Sequence, residues 1–203
     1  YTGWYTLSLH DALPIFAPQL YWRDQPRKQS FSALLSWWRQ QGDRPVWPGI
    51  ATARINSSDD PGRPASEITS QIDISRRTGS NWNGHIHWSA KSLVTNQGGI
   101  ATKLAGSYTQ QAAVPPMPWV NNKLPAAPGV SSSLSGQGTF IRWVPANGTS
   151  KVLVQVRTGG QWRVAGIFPA GGQGITTQKA DVIAVTALDR YGNASPPKVL
   201  GLQ

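Results

Sequence analysis

The chain has 203 residues, room for one large domain or two small ones with a core in each, and no run approaches the roughly 18 uninterrupted apolar residues of a membrane span. It has no cysteine, which excludes a disulfide framework, a thiolate zinc site and a thiol nucleophile. The net charge of +10 is spread as 12 basic against 6 acidic residues over 16–124 and 7 against 2 over 125–203, with no dense basic run and no recognition motif; that argues against nucleic acid and suits attraction to an anionic polymer.

The start of the chain stands apart. The stretch Tyr5 to Ile15 resembles one reading frame of a common sequencing adapter, joined to a genuine reading frame near Phe16. Residues 1–15 are therefore kept out of the fold as artefactual, and the expectation is that the natural N-terminal part is missing, together with any signal peptide or lipid anchor.

From Phe16 the pattern is strand, loop, helix, three times. Phe16 to Trp22 reads as a strand and Asp24 to Gln29 as a polar loop. Ser30 is a plausible N-cap, and Phe31, Leu34, Leu35 and Trp38 then fall at i, i+3, i+4 and i+7, one apolar stripe that ends before Gly42. Pro45 to Ala51 is the second strand, awkward because Pro45 and Pro48 each remove a ladder donor. The polar stretch Thr52 to Arg63 is long for a connection, and long loops at strand ends often carry function.

Pro64 opens a second helix whose buried stripe is Ala65, Ile68 and Ile72; Arg76, Arg77 and Gly79 finish it. Glu67, the one Glu of the chain, stands in its first turn and complements the helix dipole. Gly84 to Ser89 is the third strand. His85 and His87 alternate onto one face, but with no third ligand nearby they read as packing and hydrogen-bonding groups, so neither a metal nor a cofactor is assigned. Asn96 to Gly99 turns the chain into a third helix with Ile100, Leu104 and Tyr108 at i, i+4 and i+8.

Three such units imply a parallel α/β layer. Parallel barrels place their chemistry on the loops leaving the C-terminal ends of strands, here Tyr21 to Arg23, Ala51 to Arg54, and Trp88 with Ser89. Together these would form one wall of a sugar-sized cleft, since aromatic faces stack on pyranose C–H groups. Most of the ten Trp residues are expected to fill cores instead. Arg54 has two readings: a double donor to sugar hydroxyls or a carboxylate, or a surface partner of Asp59 or Asp60.

Residues 115–128, rich in proline, read as a linker, and after them short strands alternate with glycines. Thr139 to Pro145, Lys151 to Thr158, Trp162 to Phe168, Ile175 to Gln178, Val182 to Leu188 and Lys198 to Leu202 suggest a small β-sandwich over 129–203. Gln161 to Arg163 and Val185 to Ser195 resemble fibronectin type III domains, with Trp143 as the core Trp and Asp189 to Asn193 as a turn; no tyrosine corner is found. A spacer or support role is expected of this module, with polymer binding as the alternative.

The stretches Pro18 to Trp22, Leu34 to Trp38, Arg44 to Ile50, Glu67 to Ile72, Gly84 to Ser89 and Pro116 to Trp119 follow one another in family order. Over about 16–120 the chain resembles the C-terminal part of the glycosyl hydrolase-like family 10 proteins, bacterial glycosidases that are often lipoproteins. The resemblance implies that 16–114 holds the last three βα units of a (β/α)8 TIM-type barrel. It also implies an exported, extracytoplasmic hydrolase of O-glycosidic bonds in a bacterial polysaccharide, a cell-wall or peptidoglycan-type glycan. In that setting Gln19, Tyr21, Trp22, Arg54 and Trp88 are assigned to substrate binding.

Most glycosidases need two carboxyl groups flanking the scissile bond. The acidic residues after the junction are Asp24, Asp43, Asp59, Asp60, Glu67, Asp73, Asp181 and Asp189, and none sits at a convincing catalytic position; Asp24, two residues beyond Trp22, comes nearest. No catalytic residue is assigned, and the chain by itself is expected to be inactive. The competing expectation is a non-catalytic carbohydrate-binding or cell-surface interaction protein.

Overall fold

The computed structural model describes residues 15–25, 29–77, 83–136 and 138–202. The adapter-like segment up to Pro14, part of the loop after Trp22 and the helix stop at Gly79 lie outside them. The chain divides into two compact units, 1–109 and 110–203.

In the first unit, β1 (Gly49–Ile50) and β2 (Ile86–His87) pair in parallel, Gly49 opposite Ile86 and Ile50 opposite His87. The segment from Phe16 runs along the other side of β1 through parallel bridges Phe16–Val46 and Gln19–Gly49. Three extended segments thus lie side by side in one direction, in the order expected from the sequence. Their ladders are shorter than expected, and the two prolines give the reason. Pro45 and Pro48 contribute only carbonyls, to Phe16 N (2.8 Å) and Ile86 N (3.0 Å), where a longer ladder would need donors as well.

Helix α1 (Phe31–Arg39) begins where Ser30 Oγ accepts from Ala33 N at 3.2 Å, satisfying one orphan donor of its first turn. Helix α2 (Ala65–Arg77) follows Pro64 and carries Glu67 in its first turn. The stripes of both helices close with Leu20, Val46 and Ile50 over one face of the strands: Phe31, Leu35, Ile55, Ala65, Ile68 and Ile72 are all buried in a single core, with Leu34 and Trp38 partly buried against it. Successive residues of a strand point to opposite faces, so Leu20 and Ile50 belong to the helix-covered side and Gln19, Tyr21 and Gly49 to the other.

The third helical unit departs from expectation. A short helix α3 (Ala90–Val94) precedes the turn, and α4 covers only Ile100–Leu104 before the chain tightens into a 3-10 turn over Ala105–Ser107. Ile100 and Leu104 are buried as the spacing requires, but Tyr108 leaves the helix and lies exposed. Gly98 and Gly99, both at positive φ, together with Gly106 cap the length a helix can hold here.

The second unit is a two-sheet sandwich. One sheet has the order β3-β4-β7, where β3 is Gly129–Ser135, β4 Gly138–Val144 and β7 Ile175–Thr177. The other has the order β6-β5-β8-β9, where β5 is Lys151–Thr158, β6 Gln161–Pro169, β8 Val182–Leu188 and β9 Lys198–Gly201. All their pairings are antiparallel. Ile141 and Trp143 from the first sheet pack on Val152, Val154, Val156, Ile183 and Val185 from the second, which is the sandwich implied by alternating strands at this spacing. Trp143 is buried, stacks on Phe168 with centroids 5.6 Å apart, and donates from Nε1 to Ala170 O at 3.1 Å.

Strand β3 is not foreseen from the sequence, because three serines blur its alternation; its register with β4 nevertheless runs unbroken from Gly129–Val144 to Ser135–Gly138. The Asp189 turn is present. The Asp189 carboxylate accepts from Tyr191 N, Asn193 N and Asn193 Nδ2 at 2.8 to 2.9 Å. Residues 110–121 bond to this same unit: Met117 N donates to Tyr191 O (2.9 Å) and Asn193 Nδ2 to Asn121 O (2.8 Å).

Candidate functional site

The first segment, β1 and β2 all end toward one edge of the first unit. Just past those ends the chain is tied across: Trp88 N donates to Ile50 O (2.9 Å) and Ala53 N to Trp88 O (2.7 Å), so Trp88 lies beside the 3-10 turn Thr52–Arg54. Gln97 holds the same turn from the other side, its Nε2 donating to Ala53 O (3.2 Å) and Ile55 O (2.6 Å). The Trp88–Ser89 peptide is cis.

A cavity of about 620 Å³ opens at this edge, lined by Tyr21, Trp22, Arg23, Gln25, Gln29, Arg54 and Asp60. Three of the five residues assigned to substrate binding, Tyr21, Trp22 and Arg54, therefore share one cavity. Trp22 is 45% exposed, and the Arg54 guanidinium lies 5.9 Å from the centroid of the Tyr21 ring with Nη1 donating to Tyr21 O at 3.3 Å. Gln19 and Trp88 are not in its lining. Gln19 is exposed one step back along the first segment, and Trp88 is 59% exposed beyond the turn.

The cavity wall is held from behind by polar groups, of which Arg63 and Gln71 carry no assignment from the sequence. Arg63 has no exposed surface. It donates from Nη1 to Tyr21 O (3.0 Å) and Asp60 Oδ2 (3.1 Å), and from Nη2 to Trp22 O (3.1 Å). Gln71 Nε2 also reaches Trp22 O (2.8 Å) and Glu67 Oε1 (2.8 Å), while Glu67 Oε1 accepts from Asp24 N (2.8 Å). The backbone carrying the two aromatic side chains is thus fixed by two buried donors reaching in from the α2 side. One signal for this was present in the sequence: Gln71 falls at i+3 from Ile68, inside an otherwise apolar stripe.

Asp60 is the hub of the charges. Arg23 grips its Oδ1 through Nε (3.0 Å) and Nη2, and Arg63 takes Oδ2. Burial alone would raise the Asp60 pKa, but the hydrogen bond and charge of Arg23, followed by the charges of Arg63 and Arg54, hold it below the ordinary carboxylate value. Among the described residues Arg54 makes no direct ion pair with Asp59 or Asp60, although its charge acts on Asp60 across the same cavity. Asp24 is occupied too, its Oδ1 accepting from Ser32 N at 2.9 Å as a support for α1. Glu67 serves the loop backbone as well as the helix dipole.

His85 and His87 do face one way, and both Nε2 atoms meet the hydroxyl of Tyr108, His87 at 3.0 Å and His85 more closely; His87 Nδ1 lies 2.7 Å from Thr52 Oγ1. Burial, then the neighbouring His87 and Arg76, push the His85 pKa down to about 4, and burial lowers that of His87. Both shifts favour the neutral imidazole. Among the described residues no group of three or more His, Cys, Asp or Glu side chains gathers to hold a metal.

No protein-family model matches the chain. Over 143 residues it is 32% identical to glycosyl hydrolase YngK of Bacillus subtilis (strain 168), which covers 66% of this chain and 28% of that protein. The chain therefore spans well under half the length of the curated relative it matches. Among solved structures, the Spr0440 glycoside hydrolase domain, Endo-D from Streptococcus pneumoniae R6, matches 41% of this chain and 16% of its own at 14% identity and a TM-score of 0.33. A Fn3-like protein from Clostridium thermocellum matches 40% of this chain and 94% of its own at 22% identity and a TM-score of 0.30. The Clostridium perfringens spore cortex lytic enzyme SleM matches 85% and 74% at 15% identity and a TM-score of 0.32. TM-scores of this size do not establish a shared fold, and the functional weight falls on the sequence likeness to YngK.

Proposed function

We propose that this chain is part of an exported glycoside hydrolase of the glycosyl hydrolase-like family 10 type, acting on O-glycosidic bonds of a bacterial cell-wall glycan, and that it contributes one wall of the sugar-binding cleft. The observation that carries this reading is the joint lining of one cavity by Tyr21, Trp22 and Arg54 at the ends of parallel segments, in a chain 32% identical over 143 residues to a glycosyl hydrolase. Aromatic faces hold the apolar side of a pyranose, and Arg54 supplies donors to its oxygen substituents. The parallel segments with helices on one side fit the last units of a (β/α)8 barrel, whose ligands gather at that end of the strands. The sandwich acts as a spacer or support.

Hydrolysis through an oxocarbenium-like transition state needs a carboxyl pair. Asp24, Asp60 and Glu67 are each engaged in holding backbone or guanidinium groups, and the role proposed for this chain is to bind without cleaving. The test is calorimetric titration of the full chain with purified peptidoglycan glycan strands, alongside an assay of reducing ends. Saturable binding that weakens about tenfold or more in Trp22→Ala, with no release of reducing ends, is expected. Absence of binding to the strands contradicts the cleft, and release of reducing ends contradicts the assignment of a binding role alone.

A further inference from the structure

We propose that the cavity at the strand ends selects a sugar bearing a carboxylate, and that Arg54 is the residue that reads that charge. This deepens the glycan reading above and rests on it. Among the described residues lining the cavity, two guanidinium groups, Arg23 and Arg54, stand against one carboxylate, Asp60, whose other oxygen is already held by the buried Arg63.

The positions of these groups decide where the extra positive charge of the lining is felt. Both oxygens of Asp60 are taken, Oδ1 by Arg23 and Oδ2 by Arg63. Glu67 is engaged with Asp24 N and Gln71 Nε2. Arg63 is fully buried behind the Tyr21 and Trp22 carbonyls, so its charge belongs to the wall and its donors do not reach the opening. Arg54 remains. It lines the cavity, spends one N–H on Tyr21 O, lies over the Tyr21 ring, and among the described residues has no carboxylate within ion-pair distance, its charge acting on Asp60 only from further off.

A planar guanidinium offers paired N–H groups that match the two oxygens of a carboxylate, and one already held over an aromatic ring loses less freedom on binding. A neutral sugar would fill the aromatic side of the cavity and leave that extra charge unanswered. A carboxylate projecting from the ring would meet Arg54 directly.

The experiment uses the full chain and one disaccharide in two forms: N-acetylglucosaminyl-N-acetylmuramic acid as the free acid and as its methyl ester, titrated by calorimetry at low salt. The free acid is expected to bind at least about tenfold more tightly than the ester, as a charge-assisted pair implies. In Arg54→Gln the two forms should bind alike, and Arg54→Lys should keep only part of the preference, because a point charge lacks the fork. Equal affinity of acid and ester for the unaltered chain overturns the charge reading while the cleft stands. A preference that persists undiminished in Arg54→Gln overturns the role of Arg54. Binding of neither form removes the cleft and this inference with it.

Discussion

Arg63 shows how much of the cavity depends on one side chain that never touches solvent. Its guanidinium is desolvated and repaid by Asp60 and by two backbone carbonyls, so removing either partner strands the other. Arg63→Met is expected to destabilise the first unit by about 3 to 5 kcal/mol, read as a shift of its urea midpoint, whereas Arg23→Met at the half-buried rim of the same hub should cost clearly less, about 1 kcal/mol. His85 makes a separate prediction. In the folded chain, pressed by burial and by His87 and Arg76 with Tyr108 across from it, it stays neutral down to about pH 4, while in the unfolded chain it takes up a proton below about 6.5. The unfolded state then binds more protons, so stability should fall as pH drops from 6.5 toward 4, and His85→Gln should flatten that fall. A urea midpoint equally steep in pH without His85 would contradict it.

At the scale of elements, the strand-end geometry hangs on close backbone approach. A Cβ on Gly84 would sit 2.2 Å from the Trp47 ring, so Gly84→Ala must displace that indole from beside β1 and should cost about 1 to 3 kcal/mol with a change in Trp fluorescence. The sandwich has its own device on β6, an edge strand of its sheet. Gln110 Oε1 accepts from Val164 N (2.9 Å) and Gln111 Oε1 from Ile167 N (2.8 Å), so two side-chain amides stand where a further strand would pair. Amide exchange at Val164 should speed up by about tenfold in Gln110→Ala, measured by hydrogen exchange, with distant strands unaffected. These elements also mark what was legible in advance. The stripes of α1 and α2 and six of the sandwich strands follow from period 3.6 and period 2, because burial on one face writes itself into the sequence. The brevity of α4, the serine-rich β3 and the meeting of Tyr108 with His85 and His87 do not, since each depends on tertiary contacts or on glycine freedom that no local pattern encodes. The same is true of the site: the strand-end rule points to Tyr21, Trp22 and Arg54, whereas Arg63 and Asp60 come together only through the fold of the loop between them.

For the molecule as a whole, two cores without shared residues imply two cooperative transitions, one for 1–109 and one for 110–203. The stretch that reads as a linker, 115–128, bonds to the sandwich through Met117 and Asn121, and the residues just before it do so through Gln110 and Gln111, while Gly192 at φ 79° lets Val114 and Pro115 pass within 2.9 Å of where a Cβ would be. A sandwich begun at residue 110 should therefore melt several degrees above one begun at 129. The place where a glycan contacts the chain is the most direct test. Titrating the isotope-labelled full chain with peptidoglycan glycan strands, while following the Trp indole and Arg side-chain NMR signals, should perturb Trp22 and Arg54 first and leave Trp143 and Trp162 in place; perturbation centred on the sandwich aromatics, with Trp22 and Arg54 unmoved, would contradict it.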